Sequence, residues 1–305
     1  MPGADLFPGF ETRRLAGEGA DLFCRIGGDG PPLVLLHGYP QSHAAWHRVA
    51  PSLAKHFRCI VPDLRGYGES TIPEPAADHR TYSKRAMASD IVAIMAGLGH
   101  RRFSVLGHDR GARVGYRLAL DTPEHVERLG ILEVVPTAEM WNRFDAGMAM
   151  SAYHWTFLAQ PHPLPERMIA ADPVPYLEWT LASWSQSGSL ETFDPGALES
   201  YRRAYVQPDR IRAFCEDYRA GASIDRVLDD DDFRSGLKIE APLHFVWSSH
   251  GFPAKTGDPM GLWRAWAKSV SGDEVKAGHF VPEENPEGVL GAFIPFFAAG
   301  SSGLR

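Results

Sequence analysis

The chain has 305 residues, of which 44% are hydrophobic, which is enough for one large domain with an insertion or for two modest domains. Its formal net charge of -7 gives no support to nucleic-acid binding, and no apolar run approaches the roughly 20 residues that span a bilayer. Cys24, Cys59 and Cys215 are scattered, without metal-like spacing, which suggests a reducing compartment. The N-terminus lacks basic and apolar signal regions, so we expect a cytoplasmic protein. We expect no metal, no cofactor, and neither a membrane nor a nucleic acid as partner.

Short apolar runs alternate with helical patterns in the first part of the chain. Each run ends near glycine or proline, as buried strands do, while the helical stretches show apolar residues three and four positions apart. Such alternation indicates a parallel sheet with helices on both faces. The predicted strands are 32–36, 59–61, 103–106 and 129–132, and the predicted helices are 83–98 and 111–120.

The composition and the periodicity of the sequence change at about Pro136. The following segment is rich in aromatic residues and methionine, shows helical patterns, and contains no convincing strand. Strand and helix patterns return at 242–247, at 274–275 and at 286–297. We therefore predict an α/β core of residues 1–137 and 227–305 that carries a helical cap of residues 138–226. The acid run Asp229 to Asp232 reads as a solvated linker that returns the chain to the core.

A tight-turn motif, Gly107-His108-Asp109-Arg110-Gly111, separates a predicted strand from a predicted helix. It has the small-x-nucleophile-x-small pattern of the nucleophile elbow in the α/β-hydrolase fold, with aspartate at the position of the usual serine. The alternative is that Asp109 only caps the helix, a role for which aspartate is favoured. Two further motifs favour the nucleophile.

The first motif is His37-Gly38-Tyr39-Pro40, directly after a predicted strand. In this fold such a loop supplies one backbone N–H of the oxyanion hole, and the residue after the nucleophile supplies the other. These donors are predicted to be Tyr39 and Arg110.

The second motif is Gly278-His279-Phe280, because the catalytic triad of the fold runs in the order nucleophile, acid, histidine. His279 follows a short predicted strand, and His250 is its competitor as the base. No carboxylate follows the strand at 242–247 until Asp258, whereas Glu133 directly follows the strand at 129–132. Glu133 is therefore the predicted acid, with a structural ion pair as its alternative role.

A carboxylate nucleophile suits attack on an sp³ carbon, where it displaces a leaving group and forms an alkyl ester. Carbon–halogen compounds and epoxides fit this chemistry. Arg110 and Arg113 lie in the first turn of the following helix, where the helix dipole disfavours cations. Paired guanidinium groups bind carboxylates, so they indicate a small anionic substrate with a carboxylate beside the reacting carbon. A salt bridge to the cap or to Asp109 is the alternative.

These motifs, together with Tyr153-His154-Trp155 and with Cys215 to Gly221, make nearly the whole chain resemble the fluoroacetate (haloacetate) dehalogenases. The resemblance implies that Asp109 displaces halide, that Arg110 and Arg113 hold the carboxylate, and that His279 is the base. It further implies a halide pocket of His154, Trp155 and Tyr218, and it makes a homodimer an expectation. The sequence departs from the family at Glu133, where aspartate is usual, at Tyr39, where phenylalanine is common, and over 248–259.

Three other functions stay open from the sequence. An epoxide hydrolase would use the same nucleophile, with Tyr218 and Tyr153 as proton donors, but a neutral epoxide needs no paired arginines. Haloalkane dehalogenases carry tryptophan at the position of Arg110. A non-catalytic binding protein is disfavoured by the intact Asp109 and His279.

Overall fold

An eight-stranded sheet forms the centre of the protein in a computed structural model, which describes residues 5–299. The strand order is β1-β2-β4-β3-β5-β6-β7-β8; β1, β2 and β4 pair antiparallel, and every other pair is parallel. Residues 1–4 belong to the N-terminal segment in which the sequence shows no signal peptide, and they lie outside the described residues. The strands are β1 Glu11–Ala16, β2 Asp21–Gly27, β3 Pro32–Leu36, β4 Arg58–Pro62, β5 Phe103–His108, β6 Val126–Leu132, β7 Leu243–Ser248 and β8 Val270–Val275.

Helices flank the sheet and fill the long connection between β6 and β7. Within residues 5–299 no helix is long and apolar enough to cross a membrane. The helices are α1 Ala50–Leu53, α2 Lys84–Gly97, α3 Arg110–Asp121, α4 Thr137–Asn142, α5 Ala146–Ser151, α6 His154–Leu158, α7 Leu164–Ala170, α8 Pro173–Trp184, α9 Pro195–Tyr205, α10 Pro208–Ala222, α11 Ile224–Ser235, α12 Pro259–Trp266, α13 Val281–Glu284 and α14 Pro286–Ala298.

The predicted α/β-hydrolase fold is confirmed, and each of the six segments predicted as strands overlaps a strand of the sheet, although Pro242 lies just before β7. Strands β1 and β2 are absent from the prediction. Strand β1 is an edge strand whose side chains are almost all exposed, so it lacks the apolar run that marks a buried strand. Residues 138–226 form helices without a strand. The cap boundaries stay a prediction.

The expectation of a solvated acidic linker is wrong. Residues 229–232 lie inside α11, and Asp229 is only 1% exposed. Asp225 and Asp229 are four residues apart and therefore share one helix face, which packs against the core. A run of acidic residues in a sequence does not show that the side chain of one of them is buried.

The sheet brings the predicted motifs to one edge. Strands β3, β5 and β6 are parallel neighbours, and their carboxyl ends lead into His37, Asp109 and Glu133 respectively. In open α/β sheets this edge is where ligands bind. Side chains alternate between the two faces of each strand, so Leu33 and Val34 belong to separate hydrophobic clusters on opposite faces of the sheet. Both faces are buried, which makes the edge a rigid platform for the loops.

Candidate active site

The elbow around Asp109 is a strained and tightly packed turn. Asp109 has φ 48° and ψ -118°, a backbone conformation that non-glycine residues rarely adopt. A Cβ on Gly107 would lie 2.5 Å from the Cα of Ala112, and one on Gly111 would lie 2.3 Å from the carbonyl oxygen of Leu36. The side chain of Asp109 makes no capping hydrogen bond to α3. Helix capping therefore does not explain the aspartate.

The carboxylate of Asp109 meets two of the predicted partners. Its Oδ1 accepts a hydrogen bond of 2.9 Å from the backbone N–H of Tyr39, and its Oδ2 lies 3.7 Å from Nε2 of His279. Gly38 allows this approach, because a Cβ there would stand 2.5 Å from Oδ1. The backbone N–H of Tyr39, one of the two predicted oxyanion-hole donors, therefore binds the carboxylate of Asp109 directly.

The charges around Asp109 favour an ionised nucleophile and a neutral base. Burial raises the pKa of Asp109, but His279, His108, Arg110 and Arg113 outweigh it, and the net direction is downward. Burial lowers the pKa of His279, and the opposing effect of Asp109 does not cancel this. For this close pair the pKa of the carboxyl and the pKa of the imidazole are both lowered, which favours a charged carboxylate and an imidazole that can accept a proton.

Arg110 forms a buried ion pair with the cap, the alternative that the sequence left open. Its Nε and Nη2 donate to the carboxylate of Asp217 at 3.1 and 2.6 Å, and Nη2 also reaches the Asp217 carbonyl oxygen. Lys84 and Tyr67 donate to the same carboxylate. Of the guanidinium nitrogens of Arg110, only Nη1 is buried without a hydrogen-bond partner.

Arg113 stands closer to the open part of the site. It lines the cavity beside Asp109, and its guanidinium carbon lies 4.6 Å from the ring centre of Trp155. Nη1 donates to the carbonyl oxygen of Val135 at 3.0 Å and to Oγ1 of Thr137 at 3.1 Å. Its Nε is buried and has no hydrogen-bond partner. Arg113 thus combines a fixed position with an unused donor.

The three residues of the predicted halide pocket lie together. The ring centre of Tyr218 is 5.7 Å from that of His154 and 6.0 Å from that of Trp155. Arg110 lies 4.2 Å above the Tyr218 ring, so the cluster adjoins the arginines. Burial lowers the pKa of His154 to about 3, which leaves a neutral ring whose Nδ1 has no partner. A leaving anion beside Asp109 would meet these polar groups.

Glu133 lies at the predicted strand end, but it does not contact His279. Its Oε2 accepts a hydrogen bond of 2.5 Å from the backbone N–H of Ser248, and its Oε1 is turned toward Gly251. No hydrogen bond between Glu133 and His279 occurs in the described structure. Burial raises the pKa of Glu133 well above its ordinary value, so the carboxyl keeps its proton to higher pH. The triad role of Glu133 stays a prediction.

A cavity of about 280 Å³ connects these groups to the surface. Its apolar walls include Val134, Met140 and Phe252, and His250 also lines it but makes its side-chain hydrogen bond to Ser249. The hydroxyl of Tyr153 is bonded to Tyr176 and does not line this cavity. Of the two histidines considered as base, His279 is the one beside Asp109.

Three residues that hold the site in place were not predicted from the sequence. His108 donates from Nε2 to the carbonyl oxygen of His279 at 2.7 Å, and Trp184 accepts the backbone N–H of His279 at 2.9 Å. Asp217 anchors Arg110. His108 could have been suspected from its place inside the elbow, and Asp217 from its place beside Tyr218. Trp184 belongs to the cap and has no such signal.

Known proteins resemble the chain over most of its length. The model of the alpha/beta hydrolase fold matches residues 31–286. A fluoroacetate dehalogenase from Burkholderia sp is 39% identical over 300 residues, 98% of both chains, and a soluble epoxide hydrolase from Corynebacterium sp. (strain C12) is 34% identical over 89% of this chain and 91% of its own. The structure of a candidate epoxide hydrolase from Pseudomonas aeruginosa is 44% identical with a TM-score of 0.92, covering 99% of this chain and 100% of its own.

Proposed function

Because the chain belongs to the haloacetate dehalogenase family of the α/β-hydrolase superfamily, we propose that this hydrolase removes halide from short 2-haloacids. The products would be halide and a 2-hydroxy acid. The observation that carries the proposal is Arg113, a buried cation with an unused Nε–H in the same cavity as Asp109. A buried guanidinium that lines the same cavity as Asp109 and keeps an unused N–H donor suits the carboxylate of a substrate.

The first step is displacement at the α-carbon. An oxygen of Asp109 forms a bond to that carbon while the carbon–halogen bond breaks and its electron pair leaves with the halide. The polar cluster of His154, Trp155 and Tyr218 would stabilise the developing halide charge, which matters most for fluoride. Arg113, assisted by Nη1 of Arg110, would hold the substrate carboxylate and align the α-carbon.

The second step is hydrolysis of the ester. His279 takes a proton from water, and the oxygen of that water attacks the carbonyl carbon of Asp109. The backbone N–H of Tyr39, already bonded to Oδ1 of Asp109, would stabilise the oxyanion together with the N–H of Arg110. Collapse breaks the bond to the hydroxyacid oxygen, which receives the proton from His279. Asp109 then carries the second hydrogen of the attacking water as a carboxylic acid, and loss of this proton to solvent restores the carboxylate.

Epoxide hydrolysis is the second candidate. The relative from Corynebacterium supports it, and the hydroxyl of Tyr218, whose ring lies 4.2 Å from the guanidinium carbon of Arg110, could donate a proton to an epoxide oxygen. The other tyrosine suggested for this role, Tyr153, is bonded to Tyr176 outside the cavity. Arg113 would have no function toward a neutral epoxide. We therefore place haloacid hydrolysis first.

An ion-selective electrode assay decides between the two. We expect halide release from chloroacetate and fluoroacetate. We also expect it from 2-chloropropionate, because the cavity of about 280 Å³ exceeds the volume of a haloacetate, whose five heavy atoms occupy at most about 150 Å³ even if each takes the roughly 30 Å³ of a liquid water. Diol formation from styrene oxide without halide release from any of the three acids would establish the epoxide reaction instead.

The pH dependence tests the contribution of Glu133. Its pKa is raised by burial, so the carboxyl is protonated at low pH and ionised above that pKa. Only the ionised form can stabilise a protonated His279, so we expect kcat to rise through this pKa. Glu133→Gln resembles the protonated form: it should match the wild type at the acidic end and fall behind by about 10²-fold at the alkaline end, up to the roughly 10⁴-fold known for a lost triad acid.

Glu133→Asp is the matched control, because it keeps an ionisable carboxyl and should keep the rise in kcat. The measurement is a kcat profile against pH for chloroacetate. An unaltered profile in Glu133→Gln would show that this carboxyl does not assist the base.

A further inference from the structure

Asp229 lies buried where α11 passes α3 and the start of α4. Its Oδ2 accepts a hydrogen bond of 2.8 Å from the hydroxyl of Tyr116 on α3 and one of 3.2 Å from the backbone N–H of Ala138 on α4. Asp229 is 1% exposed, and Tyr116 is equally buried. Burying a carboxylate is costly unless it is hydrogen-bonded, so this arrangement holds three helices together through one group.

The hydrogen bonds continue from Tyr116 to the substrate-binding side of the protein. The Tyr116 hydroxyl accepts from the backbone N–H of Thr137 at 3.0 Å and shares a bond of 2.7 Å with Oγ1 of Thr137. The same Oγ1 accepts from Nη1 of Arg113 at 3.1 Å. An unbroken chain of bonds therefore runs from Asp229 through Tyr116 and Thr137 to Arg113.

We propose that Asp229 is a positioning residue that orients the guanidinium of Arg113 for a substrate carboxylate, acting through Tyr116 and Thr137. The inference rests on the proposed function for the identity of the ligand. Asp229 touches neither the substrate nor Asp109. It stabilises the segment of Val135 to Ala138, whose carbonyl and hydroxyl groups accept both bonds of Arg113 Nη1.

The other charges near Asp229 do not replace it. Arg117 lies 3.7 Å from Asp229 Oδ1, but its Nη2 contacts Asp121 and Asp232 at 2.8 and 2.5 Å. Asp225 on the same face of α11 lies 3.7 Å from Lys84 of α2. None of these side chains bonds to Tyr116 or Thr137. Burial raises the pKa of Asp229 to about 7, so measurements at pH 8 keep most of it ionised.

The sign of the effect separates positioning from simple electrostatics. Removing a negative charge near Arg113 should tighten anion binding, equally in Asp229→Ala and Asp229→Asn. Positioning predicts weaker anion binding in Asp229→Ala, because the hydrogen bonds to Tyr116 and Ala138 are lost. It predicts wild-type binding in Asp229→Asn, because the amide oxygen of asparagine accepts both hydrogen bonds. We expect Asp229→Ala to raise KM for chloroacetate by about 10-fold, the effect of about one hydrogen bond to a charged group, with kcat within about 2-fold.

Three comparisons complete the experiment. Tyr116→Phe removes only the linking hydroxyl and should raise KM in the same way, which keeps the test valid if Asp229→Ala folds poorly. Asp232→Ala, one turn away at a partly exposed position, should leave KM unchanged. For chloroacetamide, which has no carboxylate, KM should be equal in the wild type and Asp229→Ala.

Calorimetric titration with acetate gives a readout that does not depend on turnover. Acetate should bind the wild type and Asp229→Asn alike, and Asp229→Ala and Tyr116→Phe about 10-fold more weakly. Equal affinity in all four proteins, or tighter binding in Asp229→Ala, overturns the inference even if halide is released. If no halide is released but acetate binds the four proteins as expected, the proposed function is overturned and the inference about Asp229 stands. Absence of acetate binding to the wild type would overturn the inference.

Discussion

Asp109→Asn should abolish halide release, with a loss of at least about 10³-fold in kcat for chloroacetate. The amide lacks the negative charge that makes the carboxylate oxygen nucleophilic, while its shape preserves the elbow and the hydrogen bond from Tyr39. Because His279 lies close enough to promote slow hydrolysis of the amide, Asp109→Ala is measured beside it. Both variants should bind acetate at least as tightly as the wild type, since Arg113 is unchanged and the negative charge of Asp109 in the same cavity is removed.

The control for this loss is Asp78→Asn, which changes an aspartate whose side chain is 49% exposed and paired with Arg80 at the surface. It should keep full activity, because surface substitutions of this kind rarely disturb a site. Residual activity of Asp109→Ala above about a tenth of the wild type would exclude the ester mechanism. Attack by a water molecule directly on the α-carbon would then be the remaining route.

His279→Gln should separate the two chemical steps. Alkylation of Asp109 needs no base, so we expect one halide per enzyme molecule in a rapid burst, followed by a steady rate at least about 10²-fold below the wild type. The ester should accumulate, and intact mass spectrometry should show the enzyme heavier by one carboxymethyl group. Digestion should assign this group to the peptide that contains Asp109.

His250→Gln provides the matched control, because His250 lines the same cavity but hydrogen-bonds to Ser249 rather than approaching Asp109. It should turn over without a burst. A burst in the His250 variant instead would identify His250 as the base. Loss of both the burst and turnover in His279→Gln, in a protein that still binds acetate, would mean that His279 is also needed for displacement.

The pH behaviour of the base follows from its burial. Burial lowers the pKa of His279, so its unprotonated, active form persists below the ordinary value of 6.5. With the proposed roles, we expect the rise in activity due to His279 on the acidic side of that value and the rise due to Glu133 above the ordinary pKa of a carboxyl. The two rises are distinguished by substitution, since only Glu133→Gln removes the second.

Local motifs determined much of this protein from the sequence alone. The strand-turn-helix around Asp109, the loop before Tyr39 and the order of Asp109, Glu133 and His279 along the chain predicted the fold and the edge of the sheet at which they meet. Such signals are readable because a tight turn excludes side chains at its flanks and because parallel neighbouring strands place their carboxyl ends together. The edge strand β1 escaped detection because its exposed residues lack that pattern.

Only the tertiary structure decided how the charged side chains are partnered. Arg110 pairs with Asp217, 107 positions away, and Glu133 bonds to Ser248, 115 positions away, rather than to His279. Asp229 is buried against Tyr116, 113 positions away, although its sequence neighbours are acidic. A buried charge takes whichever partner the packing of distant elements presents, because leaving it unpaired costs more than any local preference. The sequence therefore determined which chemistry the residues of the site can carry, and the packing of cap on core decided which donors remain free for a substrate.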